Sequence, residues 1–310
     1  MRGRINFRAG AIQHVYQNTH NGFLVFYSVR DCLVFFTIIS IVARQYNVRI
    51  LGICLMVDHI HLLVEVPSQK ELSRFVDHYT AWFAQVQNIW YGRKGSLFRS
   101  PFGFTSKVTD KDIRNAIAYL YNNPVEKQMC LRPEQAHWNF LAYGADPHPF
   151  SEKIRLAKAS APLRRAVKEV TIEFSEGRPL NYALLKRITK PLNPKEQQQL
   201  TDFIISTYNC IDYSAAAGYF GDYDDLVQAV NTTKGSEYNM KEDFTVGSDR
   251  IYSKMSEFLL SVKAISHIDE LLRLPEEKRR ELLEPLAIRT GASAKQVAKY
   301  LRLILTEDGD

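Results

Sequence analysis

Ile53-Cys54-Leu55-Met56-Val57-Asp58-His59-Ile60-His61-Leu62-Leu63-Val64-Glu65-Val66 is the stretch that decides the fold. Val, Ile and Leu flank a histidine pair, and that composition reads as sheet. Residues i and i+2 of a strand point to one face. His59 and His61 therefore project side by side from a rigid backbone, which is half of a metal site. Ordinary sheet histidines share this spacing, so its meaning depends on what the rest of the chain supplies.

The complement lies further along, in Asp110-Lys111-Asp112-Ile113-Arg114-Asn115-Ala116-Ile117-Ala118-Tyr119-Leu120-Tyr121-Asn122-Asn123. Thr109 or Asp110 is the expected N-cap and Pro124 the expected stop of a helix. At about 100° per residue, Ile113, Ile117, Leu120 and Tyr121 form the expected buried stripe. Tyr119 and Asn123 share a different face, one turn apart. Tyr121 reads as core packing and Tyr119 as available for chemistry, although most helix tyrosines are amphipathic rim residues.

Outward from these two stretches, strands are expected at 11–18, 48–56, 59–66 and 102–108, with helices at 31–45, 69–91 and 110–123. The apolar run Cys32 to Ala43 is too short to span a membrane and reads as a helix buried against the sheet. This β-α-β-β-α-β order is that of an α+β, ferredoxin-like domain with an antiparallel sheet and one added helix. A mainly helical C-terminal region follows. The expected division is 1–147, a helical middle region 148–240 with helices at Lys153 to Glu173 and Tyr182 to Arg187, and a helical domain 250–310. Asn231 to Asp249 is polar and reads as a linker.

The first ~145 residues resemble the single-tyrosine HUH transposases, and most the REP-associated tyrosine transposases of bacteria. Met56-Val57-Asp58-His59-Ile60-His61-Leu62-Leu63 resembles the family's Met-Pro-Asn-His-Val-His-Leu-Leu strand. Tyr91-Gly92-Arg93-Lys94-Gly95-Ser96-Leu97-Phe98 resembles its Tyr-Gly-x-x-Gly-x-Leu-Trp segment. Tyr119-Leu120-Tyr121-Asn122-Asn123-Pro124-Val125 resembles its Tyr-Ile-x-x-Asn-Pro-Val helix end, and Trp138-Asn139-Phe140 stands where an aromatic pair closes the domain. The resemblance implies an HUH domain in which His59 and His61 are metal ligands, Asn123 is the polar third ligand and Tyr119 is the nucleophile. It implies cleavage and rejoining of single-stranded DNA, in the family's manner hairpin DNA, through a 5′-phosphotyrosine intermediate.

The residue types suit that chemistry. A phosphodiester is anionic, and a divalent cation on its oxygens offsets the repulsion of an incoming oxyanion. Two neutral imidazoles and an amide leave the ion most of its charge, which fits Mg²⁺ or Mn²⁺. A phenol, with an ordinary pKa near ~10, needs activation but is a good leaving group for the reverse step. Neither lysine nor histidine stands next to Tyr119 in sequence as a base. His14, His20, His78, His137, His148 and His267 show no ligand spacing and read as structural or surface residues.

The chain departs from the family in three places. Pro101 stands at the position of an arginine, with Arg99 two residues away; Glu126-Lys127 stands where Arg-Ala is usual; Asp58 replaces a common Asn. Charge is uneven: 16 Lys and Arg against 10 Asp and Glu through residue 150, and 24 against 24 beyond it. The basic part is where a phosphate-binding surface is needed, with Arg93, Lys94, Arg99, Arg114 and Lys127 as candidate DNA contacts. Cys32, Cys54, Cys130 and Cys210 are scattered without a Cys-x-x-Cys, as expected of free thiols in a reducing cytoplasm. No run of 18 apolar residues calls for a membrane, and the expected location is cytoplasmic and nucleoid-associated.

Near the C-terminus, Ala287-Ile288-Arg289-Thr290-Gly291-Ala292-Ser293-Ala294-Lys295-Gln296-Val297 has the small residue, turn glycine and inward apolar spacing of a helix-turn-helix. Ordinary helical hairpins share the pattern. If it reads duplex DNA, Ser293 caps the second helix, and Ala294, Lys295, Gln296 and Lys299 face the nucleic acid. Three functions are therefore open: a metal-dependent DNA nicking and rejoining enzyme, monomeric or a homodimer with shared sites; a non-cleaving DNA-binding regulator; and a phosphoesterase that uses water in place of tyrosine.

Overall fold

The computed structural model of the chain describes residues 7–233 and 249–305. Strand β1 (Ile12–Asn18), helix α1 (Val29–Gln45), β2 (Arg49–Met56), β3 (His59–Glu65), α2 (Gln69–Tyr91), β4 (Gly103–Lys107) and α3 (Asp110–Glu126) follow in the expected order. The strands form one antiparallel sheet, ordered β2-β3-β1-β4. His61 lies opposite Tyr16 and Cys54, and His59 opposite Asn18 and Met56. His14 pairs with Leu63, two residues on. Alternation therefore gathers His14, Tyr16, Asn18, Cys54, Met56, His59 and His61 on one face.

The other face is apolar. Val15, Ile53, Leu55, Ile60, Leu62 and Val64 pack with Phe35 and Phe36 of α1 and with Phe75 and Phe83 of α2. Helix α1 is buried from Asp31 to Ala43, so it is apolar nearly all round. What covers its far side is the middle of the chain. Helices α4 (Ala161–Ser175), α5 (Tyr182–Thr189) and α6 (Pro194–Tyr208) join the α1 core through Val170, Leu185 and Ile205. Helix α8 (Tyr223–Thr232) instead covers α3, and α7 (Tyr213–Ala217) packs on β2 and α8; Ala216, Leu226 and Val230 share one core with Ile117 and Leu120.

Two local expectations are corrected. Helix α4 starts at Ala161, where Ser160 caps it and Pro162 takes the first turn, so Lys153 to Ser160 is not helical. Pro124 does not stop α3; it sits in the last turn, where it removes one backbone donor, and the Lys127 amide still closes on the Asn123 carbonyl. The polar stretch 231–249 lies largely outside the described residues.

Helices α9 (Arg250–Ser261), α10 (Ile268–Leu271), α11 (Glu276–Glu281), α12 (Leu283–Thr290) and α13 (Ala294–Leu301) build a separate core around Met255, Leu259, Leu286, Val297 and Leu301. Leu24 of the sheet domain belongs to that core, and Val57 of the β2–β3 turn packs on it. Among the described residues no helix is long and apolar enough to cross a membrane.

One buried carboxylate ties the layers together. Asp31 completes a capping box with Ser28 at the start of α1. One of its oxygens accepts from the backbone of Tyr27 and Ser28, and the other from the hydroxyls of Tyr91 on α2 and Tyr182 on α5. Burial pushes its pKa up, against the hydrogen bonds from Tyr182 and Ser28 that lower it. Replacing it strands several buried donors at once, each costing about 1–3 kcal/mol. Asp31→Ala is expected to lower unfolding free energy by ~3 kcal/mol or more in urea titration, whereas Asp31→Asn, which keeps an acceptor, loses less.

Candidate functional site

The site is built where α3 crosses the histidine face of the sheet. Gly52 permits the close approach, since a Cβ there would stand 3.2 Å from Leu120. The Tyr121 hydroxyl is buried beside the Leu51 carbonyl, 3.4 Å away, so Tyr121 is core packing as expected. Tyr119 points elsewhere. Its ring stands edge-on to His61, with centroids 5.4 Å apart, and edge-on to His14 at 5.8 Å. His59 and His61 are themselves 5.0 Å apart, centroid to centroid. The structure thus brings His59, His61 and Tyr119 together, and adds His14.

These groups are deeply enclosed. Tyr119 and His61 are each 1% exposed and Asn123 is 2% exposed. The expectation of an open Tyr119 face is corrected: the wheel separates the two tyrosines, but both faces of the helix are covered. Burial holds the His61 pKa well below its ordinary value and lowers that of His14 to about 3, so both rings are neutral near pH 7. Asn123 donates its amide to the Tyr119 carbonyl at 2.9 Å, which leaves its side-chain oxygen as the group able to bind a cation.

Each histidine of the pair has its Nδ1 occupied. His59 Nδ1 is 2.6 Å from an Asp58 carboxylate oxygen, and His61 Nδ1 is 3.1 Å from His14 Nε2. His61 Nε2 is buried and without a hydrogen-bond partner. That orphaned nitrogen is what a metal would satisfy, and a partnered second nitrogen is the usual companion of a ligating imidazole. Among the described residues no cluster of three or more His, Cys, Asp or Glu is arranged to hold a metal. A cation here would rest on His59, His61 and a neutral third group, a donor set with room for water and phosphate.

His14 is the site residue that sequence reasoning assigned to structure or surface. Spacing could not find it, because it comes from a different strand. The signal was its place in β1 once β1 is paired antiparallel with β3.

The C-terminal helices reach this site. Lys299 of α13 pairs with the second oxygen of Asp58. Burial alone would raise the Asp58 pKa, but His59 and Lys299 outweigh it and hold the carboxyl below the usual range. The Asp249 amide donates to the Lys127 carbonyl at 3.1 Å. Burial and the nearby Asp58 charge push the Asp249 carboxyl up to about 6. Further contacts seat the bundle: the Tyr27 hydroxyl donates to the Tyr300 carbonyl, Arg302 donates to the Leu24 carbonyl, and Arg30 pairs with Asp269.

The residues expected to contact DNA are dispersed. Lys94 and Arg99 are exposed, and the Arg99 amide donates to the Asn18 carbonyl at the end of β1. Arg93 is half-buried with one guanidinium nitrogen unpartnered, and burial with nearby Arg302 lowers its pKa to about 10. Arg114 lies on the exposed side of α3, where its guanidinium meets the Tyr219 carbonyl. Lys127 caps α3. At the C-terminus, Gly291 (φ 71°) ends α12 and Ser293 caps α13 in a box with Gln296. Ala294 and Lys295 are exposed, but Lys299 faces Asp58. The face expected to meet duplex is therefore partly spent on the sheet domain.

Residues 27–122 match the family described as IS200-like transposases. That stretch contains His59, His61 and Tyr119, and the resemblance to single-tyrosine transposases is borne out over it. A solved structure described as a REP-associated tyrosine transposase bound to a REP hairpin matches at 18% identity and a TM-score of 0.40, covering 50% of this chain and 93% of that one. No curated protein matches.

If Lys299 fastens the bundle to Asp58, Lys299→Met should loosen it. Amide exchange across α9–α13 is expected to quicken about tenfold, corresponding to ~1.4 kcal/mol, with exchange in α1 and β3 unchanged.

Proposed function

We propose that the chain is a transposase-like, metal-dependent enzyme that nicks and rejoins single-stranded DNA through Tyr119. The observation that carries this is the meeting of Tyr119 with the His59–His61 pair, inside the stretch that matches IS200-like transposases. In the forward step the Tyr119 oxygen attacks phosphorus and loses its proton. The bond from phosphorus to the 3′ oxygen breaks, that oxygen takes up a proton, and the DNA keeps a 5′-phosphotyrosine link. Attack by a 3′-hydroxyl reverses the sequence and joins a strand.

His59 and His61, with Asn123, would hold Mg²⁺ or Mn²⁺, which supplies charge neutralisation on the phosphate oxygens. Asp58 and His14 hold the imidazoles, and imidazole ligands that carry no negative charge would leave the ion most of its own. Hairpin DNA with a flanking single strand is the proposed substrate, on the strength of the sequence resemblance. Exposed Lys94 and Arg99 would then meet its backbone.

A second reading, a regulator that binds DNA without cutting, is favoured by the burial of Tyr119. A nucleophile with 1% exposure cannot reach a phosphodiester unless the enclosure opens.

The two readings separate in a gel assay with labelled single-stranded hairpin DNA from the gene's flanks. Wild type with Mn²⁺ is expected to form a covalent adduct, and Tyr119→Phe none, with DNA binding within about threefold of wild type. EDTA is expected to abolish the adduct. Tight binding without an adduct at any metal concentration would support the regulator, and an adduct in Tyr119→Phe would move the nucleophile elsewhere.

A further inference from the structure

His14 is placed where it can decide which nitrogen of His61 faces the site. The two rings stack at 5.2 Å between centroids with 23° between planes, and His14 Nε2 lies 3.1 Å from His61 Nδ1. Only one proton can sit between these nitrogens. If His14 Nε2 carries it, His61 must carry its own proton on Nε2. That would leave a buried N–H without an acceptor, because Nε2 has no hydrogen-bond partner. Nε2 is unpartnered in either tautomer, but a cation can satisfy only its lone pair and never an N–H. If His61 Nδ1 carries it, His14 accepts, and His61 presents a lone pair at Nε2.

We infer that His14 is a positioning residue that accepts the His61 Nδ1 proton and so turns the His61 Nε2 lone pair toward a bound divalent cation. The inference deepens the proposed function and rests on its metal site. Its geometry is independent of Asp58, which seats the other imidazole from the opposite end of the pair. His14 also differs from Asp58 in carrying no charge to the site. It comes from β1, outside the stretch that matches the transposase family. Its ring also touches Tyr119, so a change here must be read separately from packing.

The test uses the full chain and two variants. His14→Phe keeps a flat ring between His61 and Tyr119 but removes the acceptor; His14→Gln offers an amide oxygen in its place. Mn²⁺ alone, titrated by electron paramagnetic resonance without DNA, is expected to bind His14→Phe ~10–100-fold more weakly than wild type, the range typical of lost outer-shell partners. His14→Gln is expected to recover most of that affinity. Long-range proton–nitrogen NMR of the metal-free wild type should show His61 protonated at Nδ1, and His14→Phe should lose that preference. Wild-type Mn²⁺ affinity in His14→Phe, or Nε2 protonation of His61 in wild type, would overturn the inference. If wild type binds no Mn²⁺, the metal reading of the function falls, while the NMR tautomer still decides the part played by His14. Thermal melts of both variants, and their binding of hairpin DNA in EDTA, separate the effect from misfolding: if His14→Gln folds as wild type yet binds Mn²⁺ as weakly as His14→Phe, the acceptor role is refuted.

Discussion

The period of two along β3 is the constraint from which the rest follows. Ile60, Leu62 and Val64 must face one way and His59 and His61 the other. Slipping the register by one residue would bury both imidazoles in the aromatic core under α1 and α2 and turn three aliphatic side chains toward α3. The apolar face therefore pins the register, and the polar face inherits its geometry at no separate cost. Antiparallel pairing then carries the same phase into β1 and β2, so His14 and Cys54 arrive on the histidine side without any local signal of their own.

Helix α3 closes that side, and its phase decides which tyrosine meets the histidines. Leu120 and Tyr121 press on β2 at Gly52, and Tyr119, turned by about 100° from each neighbour, swings toward β1 and β3. The middle helices then enclose α3 from outside, through Leu226 and Val230 of α8. They also wrap α1, which explains why a helix so uniformly apolar can exist in this chain. Asp31 is the polar counterpart of that packing, since it joins α1, α2 and α5 through hydroxyls that no solvent reaches.

Much of this was legible in the amino-acid order. The strands and the helices of the sheet domain were marked by alternation, caps and breakers, and the separation of Tyr119 from Tyr121 followed from helix phase. What was not legible depends on contacts between distant segments. Tyr119 is enclosed where it meets His14 and His61, on strands far back in the chain that a helical wheel cannot include. Pro124 reads as a stop by its missing donor, yet one lost hydrogen bond in a last turn is tolerated. His14 and Lys299 have no local pattern at all: each acquires its partner, His61 or Asp58, only through folding. Lys299 was expected to face nucleic acid because an exposed cation on a second helix looks the same in sequence whichever anion it meets.

The pairing of Asp58 with Lys299 has a consequence in time. The two residues stand 241 positions apart, and the later one belongs to the final described helix. A chain emerging from the ribosome can form the sheet, the histidine pair and α3 long before α13 is made. The seat of His59 is finished only when α13 has been synthesised and has docked. The order of synthesis therefore places assembly of this support of the site well after the sheet domain has had time to fold.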